Sequence, residues 1–399
     1  YREDDGQEIG GLHWTPDGSQ LLYVRGGPPN GRGEIPNPEH NPAGADEAVW
    51  IVPASGGQPR KVGDGSGIAV SPAGGKVAWL RSGQVWWAPL DGSAKEAQLF
   101  KMRGRAESLS WSPDGERLAF VSSRGDHAFI GVYDVAARTL RFLDPSVDRD
   151  RAPVWSPDGR SLAFLRIPAR REAFMFGAER EGQPWSIRIA AVETGEGREV
   201  FRAAAGRGSV FRGVVAERPL QWMDGGIVFP WERDGWTHLY SIPEKGGGAL
   251  LLTPGPFEVE HVSVTPDRKA ILFASNQGDS ERRHIWRVTG DGKPEPVTTG
   301  RGVEWAPVAV EGGAVAFLAS DFRTPAHPEV LTGGARRQLA PLPSDFPADS
   351  LLEPREVTFS AADGMTIHAQ LFLPPGAKPG DRRPAAVFLH GGSQRQMLP

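Results

Sequence analysis

The chain has 399 residues, a formal net charge of −4 and no cysteine. No basic excess invites nucleic acid or an acidic membrane surface, and disulfides, thiolate metal sites and a cysteine nucleophile are excluded outright. No run of about 18 apolar residues is present to span a bilayer as a helix, and the start, YREDDGQEIGG, lacks the basic end and apolar run of a signal peptide. Tyr1 rather than Met opens the chain, so an address segment ahead of it is compatible with the sequence, as are a cytosolic and a bacterial periplasmic or secreted location.

In chain order, a short turn keeps returning. It reads HWTPDGSQLLYV at 13–24, VSPAGGKVAWL at 70–80, WSPDGERLAFV at 111–121, WSPDGRSLAFL at 155–165 and VTPDRKAILFA at 264–274. Degenerate copies read QWMDGGIVFP at 221–230 and VEGGAVAFLA at 310–319. Pro at the second turn position pre-sets φ, Asp suits the third, and Gly closes a type I turn. Each turn is flanked by an apolar stretch and by a strand-forming run such as L-A-F-V.

A third strand follows in most copies, as AVWIVPA at 48–54, QVWWAPL at 84–90, FIGVYDV at 129–135, WSIRIAAV at 185–192, THLYSI at 237–242 and HIWRV at 284–288. A fourth closes several, as TLRFLD at 139–144 and PEPVTTG at 294–300. Four strands recurring at about 40–45 residues mark a β-propeller blade. Residues 1–345 are therefore expected to form a mainly β, seven- or eight-bladed propeller. Two insertions break the period, at 25–47 and at 168–183. Long loops in a compact repeat are places where function is often carried.

The repeat ends at 341-PLPSDFPADSLLEP-354, a Pro-rich linker. Beyond it a hairpin is predicted, VTFSA and TIHAQLFLP around Asp363-Gly364, and then the continuous apolar run AAVFLH at 385–390. Such a run predicts a strand buried on both faces, as in an α/β sheet. It leads into His390-Gly391-Gly392. Residues 346–399 are expected to be a linker and the N-terminal strands of an α/β-hydrolase domain, truncated at this end.

The W-S-P-D-G blades, the linker and the hairpin leading to F-L-H-G-G resemble the prolyl oligopeptidase family of serine peptidases, its dipeptidyl peptidase IV-like and acylaminoacyl-peptidase-like branches above all. The stretches GDHAFIGVYDV, WERDGWTHLYSIP and ASNQGDSERRHIWRV are similar to bacterial members. The resemblance runs over nearly the whole chain. It implies a propeller that gates access to a hydrolase domain, with a Ser-Asp-His triad beyond residue 399. No Gly-x-Ser-x-Gly elbow occurs here: Ser66 and Ser393 both lack the spacing. No catalytic residue is assigned within this segment, which is expected to be inactive alone.

The resemblance also implies that the loop after the AAVFLH strand helps form the oxyanion site, through His390 or the backbone of Gly391. Losing one such donor costs about 3–4 kcal/mol. Many bacterial relatives have Pro where Ser393 stands. The dipeptidyl branch captures a substrate amine with a Glu pair ahead of one W-S-P-D-G turn; here that stretch reads DPSVDRDRAPV. Asp148 and Asp150 are the acidic residues at that place, alternating with Arg149 and Arg151 in what reads more simply as a solvated or mutually paired charge cluster. Glu172 and Glu179 in the second insertion are further candidate anchors. Trp231, Trp236 and His238 read as packing residues, and Asp17, Asp114 and Asp158 as turn caps. No histidine spacing suggests a metal, and no cofactor is implied. The expected partner is a peptide substrate. Competing readings are a TolB-like propeller that binds protein partners and an esterase of the same fold.

Overall fold

The computed structural model describes residues 9–27, 47–169, 183–206, 208–290 and 292–389. The chain divides into two compact units: Tyr1–Val210 with Ile242–Gly248, and Phe211–Ser241 with Ala249–Pro399. Among the described residues the regular structure is strand, apart from two single 3-10 turns.

In the first unit, β1 (Ile9–Trp14), β2 (Gln20–Arg25), β3 (Ala48–Pro53) and β4 (Arg60–Asp64) make one antiparallel sheet in sequence order. A second follows from β5 (Ser66–Val70), β6 (Lys76–Arg81), β7 (Gln84–Pro89) and β8 (Ala97–Phe100). The next eight strands are β9 (Arg105–Trp111), β10 (Arg117–Ser123), β11 (Ala128–Asp134), β12 (Thr139–Leu143), β13 (Arg149–Trp155), β14 (Ser161–Ile167), β15 (Ser186–Ala191) and β16 (Gly197–Arg202). They join in one eight-stranded sheet. Each half is an antiparallel meander, and a single parallel pairing, Ala128 with Arg149, links them.

The second unit repeats the plan. β17 (Gln221–Met223), β18 (Gly226–Trp231), β19 (His238–Pro243) and β20 (Leu250–Leu251) form one sheet. β21 (Val259–Val264), β22 (Ala270–Ser275), β23 (His284–Thr289) and β24 (Glu295–Pro296) form another. β25 (Val303–Ala309), β26 (Val315–Ser320), β27 (His327–Thr332) and β28 (Ala335–Gln338) form the last. β29 (Arg355–Ser360) and β30 (Thr366–Leu371) then pair as the hairpin read from sequence.

Five free-standing four-stranded sheets thus appear among the described residues, with β9–β16 merged, rather than seven or eight separate blades. The reason is local: at the β11–β13 junction, Ala128 N–H donates to Asp148 O at 3.1 Å, which turns a contact between neighbours into a sheet pairing. A second expectation fails. Residues 385–389 form no strand, and Val387, Phe388 and Leu389 are exposed by 84%, 79% and 86%. A doubly buried strand needs strands on both sides to take its N–H and C=O groups, and among the described residues none flanks this run.

The second strands β10, β14, β18 and β22 are nearly continuous apolar runs because they are covered on both faces. Leu118, Ala119 and Phe120 on β10 are wholly buried, as are Leu162, Ala163, Phe164 and Leu165 on β14. Burying each large side chain contributes about 1.5–3 kcal/mol. One close approach depends on a missing side chain: a Cβ on Gly131 would lie 2.4 Å from the Phe120 ring. The cores lie between successive sheets, as where Val121 and Ile130 meet Trp155 and Phe164.

The recurring turn is a closed hydrogen-bonded unit. In Ser112-Pro113-Asp114-Gly115, Gly115 N–H donates to Ser112 O at 2.8 Å. Ser112 Oγ donates to Asp114 Oδ1 at 2.5 Å and accepts from Arg117 N–H at 2.9 Å. Asp114 Oδ1 also accepts from Glu116 N–H at 3.0 Å. Thr15–Asp17, Ser156–Asp158 and Thr265–Asp267 repeat the pattern.

Candidate functional site

Six of the inner strands, all but β17, carry a device that the turn motif does not announce. Three residues before the last residue of the strand, the register shifts by a bulge in β1, β5, β9, β13, β21 and β25. Gly11, Gly67, Ser108, Ala152 and Ala306 take left-handed φ values of 50–65° there, at 57°, 65°, 54°, 56° and 50°. Bulges re-aim the side chains beside them. Two residues ahead of the bulge, the main chain clasps the preceding sheet: Gly65 to Glu47 O at 2.7 Å, Ala106 to Gly83 O at 2.8 Å, Val259 to Thr237 O at 3.0 Å and Glu304 to Arg283 O at 2.7 Å. Indole groups add to this joint, Trp111 Nε1 donating to Ala69 O at 2.9 Å and Trp155 Nε1 to Ser110 O at 3.0 Å.

On β13 this geometry sorts the charges of D-R-D-R. Asp150 points inward with no exposed surface. Its partner is Arg166, directly across on β14, rather than Arg149 or Arg151. The pairing is a two-pronged fork, Nε to Oδ1 at 2.7 Å and Nη2 to Oδ2 at 2.9 Å. Arg166 also lies 3.3 Å from Asp144 Oδ2, and Asp144 receives Arg188, which reaches Glu199 at 3.7 Å. Burial pushes the Asp150 carboxyl up to about 6 while the Arg166 hydrogen bond pulls it down. Burial alone would lower Arg166, but Asp150 holds it above the usual arginine range. The two-pronged fork is an ion pair, with both members charged at neutral pH. In this fold Asp150 faces Arg166 and not solvent.

Asp148 is half-buried at the start of β13, where its Oδ1 accepts Ala169 N–H at 3.2 Å and so holds the first residues of the 168–183 insertion. Arg149 donates from Nε to Asp126 O at 3.1 Å. Arg151 is exposed, directly before the bulge at Ala152. Surrounding protein lowers its guanidinium below the usual range, the like charge of Arg149 adds to that, and Glu107 opposes it. Glu172, His390 and Gly391 lie outside the described residues.

Sequence reading missed a counterpart in the second unit. Glu304, on β25, stands at the position that Asp150 holds on β13, and is also buried. Its Oε2 meets His284 Nδ1 at 2.7 Å and Thr298 Oγ1 at 2.9 Å, and its Oε1 meets Arg336 Nη1 at 2.9 Å. Burial raises its carboxyl, but the His284 and Arg336 hydrogen bonds win and hold it below the ordinary range. A signal existed: D-R-A-P-V at 150–154 and E-W-A-P-V at 304–308 share an acid, the bulge Ala, Pro and Val.

Elsewhere, the packing role expected of Trp231 and His238 fits their burial, whereas Trp236 is 38% exposed. His238 packs edge-on against Phe257, with ring centres 5.2 Å apart. In the second unit the β29–β30 hairpin is tied to the β22–β23 loop by Arg282–Glu356 at 3.1 Å and His368–Glu281 at 3.2 Å, with Arg301–Glu353 beside them. No helix of the described residues is long and apolar enough to cross a membrane.

Residues 185–328 match the family described as the dipeptidyl peptidase IV (DPP IV) N-terminal region. That match takes in about a third of the chain. Dipeptidyl peptidase 4 of the fungus Trichophyton rubrum is 26% identical over 178 residues, covering 41% of this chain and 23% of the relative. The match thus spans less than a quarter of that relative's length. Among solved structures, dipeptidyl peptidase 4 of Porphyromonas gingivalis superposes with a TM-score of 0.65 at 15% identity, over 91% of this chain and 57% of that one. The β-propeller domain of the Trilobed protease from Pyrococcus furiosus gives 0.55 at 15% identity, over 84% of this chain and 98% of that one. The chain is a mainly β propeller, the fold shared with these structures.

Proposed function

We propose that this chain is the substrate-admitting part of a serine-type peptidase acting on short peptides, with 1–345 the propeller and 346–399 a linker and the opening strands of an α/β-hydrolase domain. The observation that carries the reading is the dipeptidyl peptidase IV N-terminal match over 185–328, followed in sequence by the β29–β30 hairpin. A propeller that only bound protein partners would have no use for that hairpin or for F-L-H-G-G after it.

The eight-stranded sheet counts as two blades in this reading, making seven. Its two halves carry the same turn and the same inner-strand bulge as the free-standing sheets, and pack face to face around Trp155 and Phe164. His390 and Gly391 would supply an oxyanion donor. Asp148 and Glu172 would lie near the entering substrate, at the base of the 168–183 insertion and within it. The nucleophile would come from outside these 399 residues, since no Gly-x-Ser-x-Gly is present.

The test is fluorophosphonate labelling of the native protein that carries this chain, with the labelled peptide mapped by mass. A single labelled serine outside 1–399 supports the reading. An unlabelled protein that binds a folded partner through its sheets would replace it with the binding-module reading. A panel of dipeptidyl, acyl-peptidyl and ester substrates then separates a peptidase from an esterase.

A further inference from the structure

Arg149 and Arg151 project from β13 on the side opposite Asp150, as strand alternation requires. Their charge is not cancelled from below, because both Asp150 oxygens are engaged by Arg166. Arg149 is anchored through Nε to a neutral carbonyl, Asp126 O. Arg151 makes no ion pair or side-chain hydrogen bond among the described residues. The acid at the matching level of the neighbouring inner strand is Glu107 on β9, which acts on Arg151 through its charge without touching it. Arg151 is exposed, directly before the bulge that shifts the β13–β14 register.

We propose that Arg151, with Arg149 behind it, is a carboxylate-recognising contact that selects peptides bearing an acidic group. A guanidinium fork meets a carboxylate through two parallel, charge-assisted hydrogen bonds, and an exposed arginine with a like-charged neighbour and no ion-pair partner gains from an incoming anion. The acidic group is a C-terminal carboxylate or an aspartyl or glutamyl side chain, which share this chemistry. The inference rests on the peptide-ligand reading above.

The experiment measures binding of a fluorescently labelled Ala-Pro-Gly-type pentapeptide to the native protein that carries this chain, by anisotropy. Three forms are compared: free C-terminus, C-terminal amide, and amide carrying one Asp. At least one carboxylate-bearing form is expected to bind about tenfold more tightly than the plain amide, corresponding to about 1.4 kcal/mol. Which form gains identifies the source of the carboxylate. Arg151→Gln is expected to abolish the difference, and Arg151→Lys to keep part of it. Arg149→Gln, expected to weaken the difference without abolishing it, serves where Arg151→Gln does not fold. Equal binding of all three forms, or discrimination undiminished in Arg151→Gln, would overturn the proposal alone. Absence of binding by every form, the amide included, would overturn the peptide reading along with it.

Discussion

Ser71 shows at the scale of one residue what the turn aspartates contribute. Thr15, Ser112, Ser156 and Thr265 each donate a hydroxyl to an Asp two residues on. At 71-SPAGG-75 that Asp is Ala73, and the Ser71 hydroxyl is buried without a partner. Ala73 is exposed, so Ala73→Asp restores the acceptor at little steric cost. Urea denaturation is expected to show about 1 kcal/mol of added stability; no gain would mean that Ser71 already has a partner. The bulge residues give a second prediction. Ala306 sits at φ 50°, a conformation that costs an L-residue about 1–2 kcal/mol. Ala306→Gly is therefore expected to be neutral to about 1 kcal/mol stabilising, although Gly normally weakens a strand interior. Gly67→Ala runs the other way, since φ is +65° and the new Cβ would lie 2.9 Å from Leu80 Cδ1; a chemical melt of each variant checks the pair. Here the limit of sequence reading is plain. The turns were legible because Pro, Asp and Gly each have one local reason to be there. The bulges were not, because Ser108, Ala152 and Ala306 carry no residue-type signature of a left-handed φ.

At the scale of the element, inner strands carry buried acids whose partners come from elsewhere. Glu304 joins β25 to His284 on β23, Thr298 after β24 and Arg336 on β28. Removing its charge leaves Arg336 and His284 facing a neutral amide in a buried place. Breaking such a pair costs about 3–5 kcal/mol, so Glu304→Gln is expected to lower the stability of the second unit by about 3 kcal/mol. Adding Arg336→Met should return part of that loss in a double-mutant cycle. Additive losses would show that the two side chains act independently. The same logic explains why Asp150 was misleading in the sequence. Its neighbours along the strand, Arg149 and Arg151, look like partners, but alternation sends them to the other face, and the true partner, Arg166, is adjacent only once β13 and β14 are in register. Strand existence and order could be read from local periodicity, whereas pairing across the sheet required the fold. The apolar run at 385–389 marks the converse limit: periodicity supplies a strand's composition but not the neighbours that make it one.

At the scale of the whole molecule, the turn aspartates make a common acid response. Hydrogen bonds from Thr15 and Ser19 hold Asp17 at about 2. Asp158 and Asp267 are lowered chiefly by the Ser156 and Thr265 hydroxyls. At Asp114 burial acts upward, but the Ser112 and Glu116 hydrogen bonds outweigh it and the net direction is down. A carboxyl held lower in the folded than in the unfolded chain gives stability that is complete above about pH 4 and is lost as pH falls towards 2. Thermal melts across that range are expected to show a steep decline, which Asp114→Asn and Asp158→Asn together should flatten. An unchanged slope would place the acid sensitivity elsewhere.

The joint between neighbouring sheets is closed by a main-chain N–H meeting a main-chain carbonyl, at Gly65, Ala106, Val259 and Glu304 alike. Every amino acid except proline brings that donor, so Ala106, Val259 and Glu304 stand at the same joint with three different side chains, whereas at Gly65 an added Cβ would meet Leu80 O at 2.0 Å. Different letters thus close the same kind of seam, and the superposition on Porphyromonas dipeptidyl peptidase 4 covers 91% of this chain at only 15% identity.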